Sequence, residues 1–337
     1  MLQKIALKNV GPLTALQWGG LKKINLIIGK NGSGKTFLLK VLYSALRTLE
    51  EYQRGNDQRS ASEILADKLY WTFQSEKIGD LVSKGAHAPL SCTFMVDGKC
   101  LHYSFGKETC RSISTFENQV PARKSNSIYI PPKEVLSLQH IILASRERDQ
   151  LFGFDDTYYD LARALRLPAR VVHNGGDFTS PRKDLESMLG GRIEYDDAAN
   201  HWQFRQGNQK FTIGVTAEGI KKIAILDTLL GNGYLSSQSV VFIDEPESAL
   251  HPVAISELLE IIATLASKGI QFFIATHSYF VIKKLFLIAQ ENEMSLPVLS
   301  WLAGKWQQAD LKDGMPDNPI IDESIRLYRE EVAQVLA

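Results

Sequence analysis

Cysteine is scarce in this 337-residue chain: Cys92, Cys100 and Cys110 are the only three. An odd number without close pairs excludes a disulfide framework and lacks the paired spacing of a zinc site. Reduced thiols in a cytoplasmic protein are the expected state. Long apolar runs are missing too. The longest, residues 239–243 and 270–275, fall far short of the roughly 18–20 residues that span a bilayer, so no membrane segment is expected. The first eight residues alternate charged with apolar side chains and lack the hydrophobic stretch of a secretory leader. There is no excess of either charge: Lys+Arg and Asp+Glu both number 38. Attraction to a phosphate backbone would therefore need a local patch. Internal repeats and sustained heptads are absent, which excludes long coiled-coil arms. What remains is ordinary. A hydrophobic share of 44% with 23% charged residues excludes a disordered chain, and the length suits two domains or one with a large insertion.

Periodicity gives the order of elements. Residues 4–10 and 13–18 are expected to form a hairpin around Gly11-Pro12, followed by a buried strand over 23–28. After a glycine-rich stretch, Leu38, Leu42, Ala45 and Leu49 recur at helical spacing and predict a helix over 37–49. Residues 63–73 read as helix, 90–96 and 100–105 as a hairpin around Asp97-Gly98, and 127–130 as a short strand closed by Pro131-Pro132. Residues 134–167 read as mostly helical and 191–214 as two or three short strands. From there helix 220–230, strand 240–243, helix 253–267, strand 270–275 and helix 279–290 alternate, which argues a mostly parallel sheet covered by helices. Residues 320–336 close the chain as an amphipathic helix.

Gly29-Lys30-Asn31-Gly32-Ser33-Gly34-Lys35-Thr36 fits the phosphate-loop pattern G-x-x-x-x-G-K-[ST] at every fixed position, between an apolar strand and a helix. Gly32 and Gly34 let successive N–H groups face inward as an anion nest, and the helix beginning near Lys35 adds its positive end. Lys35 can reach the β- and γ-phosphates, and the Thr36 hydroxyl can ligate Mg²⁺. A second polar cluster ends the strand before Asp244-Glu245. Acids at the end of a core strand sit where open α/β sheets bind ligands. Asp244 is expected to complete the Mg²⁺ site with Thr36, and Glu245 to orient and deprotonate the attacking water. The alternative is that these acids cap the helix starting near Pro252. Thr276-His277-Ser278 ends the next buried strand, which places His277 to contact the γ-phosphate.

These residues resemble ABC-type ATPase heads, the branch that includes SMC-like and RecF-like proteins. More narrowly, the chain is similar to stand-alone prokaryotic ATPases related to the overcoming-lysogenization-defect family, found as ATPase subunits of Septu-type and retron-linked phage-defence systems. The resemblance is carried by the opening Ile5-Ala6-Leu7-Lys8-Asn9-Val10, by the phosphate loop with its strand, by residues 242–252, by Ala275-Thr276-His277-Ser278 and by residues 318–328. It implies that a second protomer closes each ATP site with a short loop. Thr216-Ala217-Glu218-Gly219 stands in that place, with Thr216 or Glu218 replacing the serine of the usual Leu-Ser-Gly-Gly. The competing reading is an ordinary helix start capped by Thr216. The family's Mg²⁺-binding glutamine has no evident counterpart. The nearest glutamine is Gln139, and no role is assigned to it. His251 lies in the loop that the resemblance carries across a dimer interface.

The expectation is thus an α/β P-loop NTPase of ABC-ATPase-head type: a mostly parallel sheet with an antiparallel β subdomain and a helical lobe. Residues 1–131 and 239–311 would form the ATP-binding core, 132–238 a lobe carrying the closing loop, and 312–337 a C-terminal helix. ATP and Mg²⁺ are the expected cofactors, and a homodimer around two ATP molecules, or a higher homo-oligomer through the ATP sites, the expected assembly. Hydrolysis would gate a separate effector, a nuclease above all, because the chain carries no visible nuclease motif. Nucleic acid is a further candidate partner. The basic clusters Arg123-Lys124, Arg146/Arg148, Arg163/Arg166/Arg170 and Arg182-Lys183 read as solvated helix faces. The rivals are a DNA-repair ATPase, a transporter ATPase subunit and a P-loop kinase.

Overall fold

The computed structural model describes residues 1–169, 178–196, 199 and 201–336. Its centre is a six-stranded sheet of order β14-β13-β3-β12-β11-β7. The strands, numbered in chain order, are β3 (Ile24–Ile28), β7 (Ser127–Ile130), β11 (Val240–Asp244), β12 (Gln271–Thr276), β13 (Pro297–Leu302) and β14 (Lys305–Asp310). All neighbours pair in parallel except β13 with β14. The inner strands read as unbroken apolar runs because both faces are covered. Leu26 and Ile28 enter one core and Ile27 the other; Val241 and Ile243 oppose Phe242 in the same way.

One face packs on α1 (Lys35–Glu51) and on an antiparallel sheet of order β2-β1-β4-β5-β6. Its strands are β1 (Leu2–Val10), β2 (Leu13–Trp18), β4 (Leu90–Val96), β5 (Lys99–Phe105) and β6 (Thr115–Asn118). Helix α2 (Ala61–Phe73) lies beside α1 and starts with a capping box, Ser60 and Glu63 satisfying each other's backbone N–H. The core on the other face takes in residues of α3 (Gln139–Glu147), α4 (Asp156–Leu165), α5 (Thr179–Leu189), α6 (Glu218–Gly231), α7 (Pro252–Ser267) and α8 (Tyr279–Glu291). A small sheet of β8 (Arg192–Asp196), β9 (His201–Gln206) and β10 (Gln209–Thr212) joins that core through Trp202 and Phe204. Helix α9 (Pro319–Leu336) is anchored by buried Ile321 and leaves Ile325 and Tyr328 exposed.

The helix carrying the phosphate loop is tied to α4 by buried charge. Asp160 accepts hydrogen bonds from Tyr43 Oη at 2.7 Å and Lys68 Nζ at 3.1 Å, with Arg47 Nε at 3.4 Å. Burial pushes its carboxyl up, but Lys68 and Arg47 outweigh burial and hold it well below the usual range. A cavity of about 490 Å³ opens beside this network, lined by Arg47, Glu51, Arg54, Asp160, Arg163 and Tyr234. Its deepest cation, Arg47, is neutralised by Glu50, Glu51 and Asp160.

The expected elements are present, with three differences. The helical stretch 134–167 is two helices, separated at residues 148–155. Helix α4 stops at Leu165, ahead of Pro168, so Arg166 is its C-cap; Arg170 lies outside the described residues. Strand β6, helix α5 and the β13–β14 hairpin were not expected. That hairpin turns at Ala303-Gly304 with φ of 48° and 82°, the twist a two-residue turn needs. The basic clusters are largely engaged: Arg146 stacks on Trp71, Arg123 pairs with Asp97, and Arg182 pairs with Asp227.

Candidate functional site

The phosphate loop leaves β3 and turns into α1 through two left-handed glycines, Gly32 (φ 77°) and Gly34 (φ 96°), the latter being the helix N-cap. Gly29 is required for a different reason. A Cβ there would sit 2.7 Å from Cβ of Trp301 on β13. Lys30 and Asn31 stay exposed, and Ser33 is buried with its hydroxyl unpartnered. The Lys35 ammonium folds back under the loop and donates to Gly29 O at 2.7 Å and Lys30 O at 3.2 Å. Burial lowers its pKa, opposed by the nearby charges of Asp244, Glu245 and Glu247.

The structure brings Thr36 and Asp244 together across 208 positions: Thr36 Oγ1 donates to Asp244 Oδ2 at 2.7 Å. The same oxygen accepts from Tyr129 Oη on β7 at 2.9 Å, while Asp244 Oδ1 is buried without a partner. Burial pushes the Asp244 carboxyl up, and these two hydrogen bonds oppose the shift. A buried, unpartnered carboxylate oxygen beside a threonine hydroxyl fits a hard cation such as Mg²⁺. Among the described residues, no group of three or more His, Cys, Asp or Glu side chains is arranged to hold a metal.

Glu245 takes a left-handed backbone, φ 52°, directly after the strand. Its N–H donates to Ala275 O at 2.9 Å, and its Oε1 lies 3.1 Å from His277 Nδ1. The sequence-predicted pair Glu245 and His277 therefore meets. Neither Asp244 nor Glu245 caps α7, because His251 does so, accepting from Val253 N at 3.3 Å. Three residues not singled out from the sequence complete the cluster. Glu247 Oε1 accepts from Thr276 Oγ1 at 2.7 Å and from His277 N at 3.3 Å, fixing the turn that carries His277. Tyr129 braces Asp244. Lys222, on α6, donates to the Glu245 carbonyl at 2.5 Å. Glu247 was legible as the last acid of Asp-Glu-Pro-Glu. The inward side of the Lys221-Lys222 pair was not.

The expected closing loop needs correction in its local structure. The N-cap of α6 is Ala217, without a side-chain bond; Thr216 does not cap, and its Oγ1 donates to Thr212 O at 3.3 Å. Gly219 has a partner within its own chain: a Cβ there would lie 2.9 Å from Ala249 O and 3.0 Å from Leu250 Cδ2. The glycine is thus explained by close packing against the loop that follows Glu245. Gln139 is a core residue. It donates to Ala162 O at 2.7 Å and accepts from Trp202 Nε1 at 2.6 Å.

A family profile described as "AAA domain, putative AbiEii toxin, Type IV TA system" matches residues 97–283, more than half of the chain. The match includes Lys222, Asp244, Glu245 and His277 but not the phosphate loop. Among solved structures, the chain is similar to an SMC head bound to the C-terminal winged-helix domain of ScpA. That likeness has 14% identity, covers 92% of this chain and 97% of the other, and has a TM-score of 0.53. It is also similar to a Pyrococcus furiosus SMC head with an extended coiled coil, bound to the C-terminal domain of ScpA. There the identity is 12%, coverage is 98% of both chains and the TM-score is 0.50. At such identities the likeness shows the fold, the mixed α/β architecture of SMC heads. No curated protein matches the chain. Among the described residues, no helix is long and apolar enough to cross a membrane.

Proposed function

We propose, from the premise that this chain belongs to the AAA-domain family described as putative AbiEii toxin of type IV toxin–antitoxin systems, that it binds ATP with Mg²⁺ and hydrolyses the γ-phosphate. The observation that carries this reading is the Thr36–Asp244 hydrogen bond, with Asp244 Oδ1 buried and free and Glu245 one residue on. The N–H groups of residues 29–36 and the Lys35 ammonium bind the phosphates. Thr36 and Asp244 hold Mg²⁺, which when bound neutralises charge on the phosphate oxygens. Glu245 accepts the proton of the attacking water. His277, seated by Glu247, orients the Glu245 carboxylate through Nδ1 and can contact the γ-phosphate through its other nitrogen.

Two such heads would face each other across two ATP molecules, with residues 216–219 near the partner's site. Three large apolar side chains support a pairing face: Val215, Val253 and Phe280 are 76%, 58% and 60% exposed. Each lies within three residues of Thr216, His251 or His277. Turnover would gate a separate effector, a nuclease in phage defence, in the cytoplasm; the free cysteines suit a reducing compartment. The test is ATP hydrolysis by purified protein. Glu245→Gln should keep ATP binding, lower hydrolysis about 10²–10⁴-fold, and trap a nucleotide-dependent dimer in light scattering. Wild-type turnover in that variant would remove Glu245 from the role.

A further inference from the structure

We infer that Lys222 is a positioning residue for hydrolysis: from α6 it holds the Glu245 peptide in its left-handed form and so aims the carboxylate. This rests on the function proposed above. The Glu245 carbonyl accepts from Lys222 Nζ at 2.5 Å and from Ser248 N at 3.0 Å, while the Glu245 N–H is taken by Ala275 O on β12. The peptide on each side of an unusual φ of 52° is thus tied down, one side from the sheet and the other from α6. Lys222 forms no ion pair among the described residues, although Asp244, Glu245 and Glu247 surround it; its bond goes to the backbone. Burial pushes the ammonium down to about 8, opposed by those three acids, so the charge is kept in a poorly hydrated place.

Gly219 and Lys222 are three apart and share one helix face. Gly219 packs on Ala249 O and Leu250, and Lys222 bonds Glu245 O. One turn of α6 therefore grips both ends of the segment from Glu245 to Leu250. A shift of α6 would move the base directly, without passing through the phosphate loop.

The experiment uses the full chain in two arms. In the nucleotide-free arm, hydrogen exchange is measured on the 245–250 segment. Lys222→Met should speed exchange of the Glu245 and Ser248 amides at least tenfold and leave α7 unchanged. In the single-turnover arm with ATP and Mg²⁺, Lys222→Met should slow hydrolysis at least 30-fold, with ATP affinity within threefold of wild type. Lys222→Arg should recover most of the rate. In a Glu245→Gln background, Lys222→Met should change the residual rate less than twofold, because it acts through Glu245. Unchanged exchange, a rate within twofold of wild type, or an equal loss in the Glu245→Gln background would each overturn the assignment. If Lys222→Met does not fold, Lys222→Gln, which still donates to a carbonyl, carries both arms: near-normal exchange and rate support the clamp, and a full loss of rate with normal exchange refutes it. A wild-type chain without ATPase activity would end the functional reading, while the exchange arm still decides whether Lys222 holds Glu245.

Discussion

Replacing Lys35 with methionine keeps most of the side-chain volume and removes the charge. The ammonium makes two hydrogen bonds to neutral carbonyl oxygens, at 2.7 and 3.2 Å. Phosphate would replace these acceptors with anionic ones, and a hydrogen bond between two charged groups is stronger by about 1–2 kcal/mol. Two contacts give about 2–4 kcal/mol, so Lys35→Met should weaken ATP binding roughly 30- to 1,000-fold. Stability without ligand should respond differently. The variant loses two donors, at about 1 kcal/mol each, but also loses a buried charge whose pKa burial has lowered. These oppose one another, and the melting temperature should stay within about 5 °C. The pH dependence has a definite sign. A lysine lowered in the folded state binds fewer protons there than in the unfolded chain, so wild-type stability gains from Lys35 as pH rises toward the ordinary lysine value. Lys35→Met should lack that gain. Calorimetry with a non-hydrolysable ATP analogue and Mg²⁺, beside thermal melts, reads both effects. Affinity within threefold of wild type, or a fall in melting temperature above about 10 °C alongside the lost affinity, would refute the reasoning.

Asp160→Asn should destabilise the chain by about 1.5–3 kcal/mol, because Lys68 and Arg47 would each lose one buried carboxylate while keeping Glu51 and Asp156, and Glu50 and Glu51, respectively. Asp160 is held below the usual carboxylate range, so its contribution is lost as pH falls through its folded value; the wild-type advantage in denaturant melts should shrink in acid. Gly219→Ala should destabilise by about 1–3 kcal/mol, since its methyl group would meet Ala249 O at 2.9 Å. It should also lower ATP turnover in protein too dilute to dimerise if any turnover remains there; unchanged stability in denaturant melts would mean the 249–250 loop yields freely.

Much of this architecture was legible because the strands and helices differ in period and length. The inner strands are short apolar runs, and the helices between them repeat at three and four, so a mostly parallel sheet followed. The phosphate loop was legible because its glycines and lysine are dictated by backbone geometry at fixed spacing. Strand β14 was harder: its burial pattern is largely exposed, and Lys305-Trp306-Gln307-Gln308 has no apolar alternation. The Ala303-Gly304 turn was the available signal. Tyr129 and Lys222 were not legible at all, since each reaches the site from an element whose distance from Asp244 is set only by sheet order and helix packing. Gly219 shows a further limit. A glycine at a helix start serves equally for an anion or for a neighbouring backbone, and the approach of Ala249 O shows only that the second applies.

The family match over residues 97–283 takes in the Glu245 side of the site and leaves out the phosphate loop. Every group that acts on the Glu245 side of the site comes from that range: Tyr129 from β7, Lys222 from α6, Glu247 from the loop after β11, and Thr276 and His277 from the end of β12. Lys222, Glu247, Thr276 and His277 are linked through Glu245 and Glu247, and Tyr129 joins them by its bond to Asp244. The phosphate loop joins this cluster by the Thr36–Asp244 bond and by the charge of Lys35. Its own geometry comes from β3, α1 and the contact of Gly29 with Trp301, all outside the matched range. The site is therefore two separately braced halves meeting at one carboxylate. A disturbance on the Glu245 side should lower hydrolysis while sparing ATP binding, and one on the phosphate-loop side should lower both.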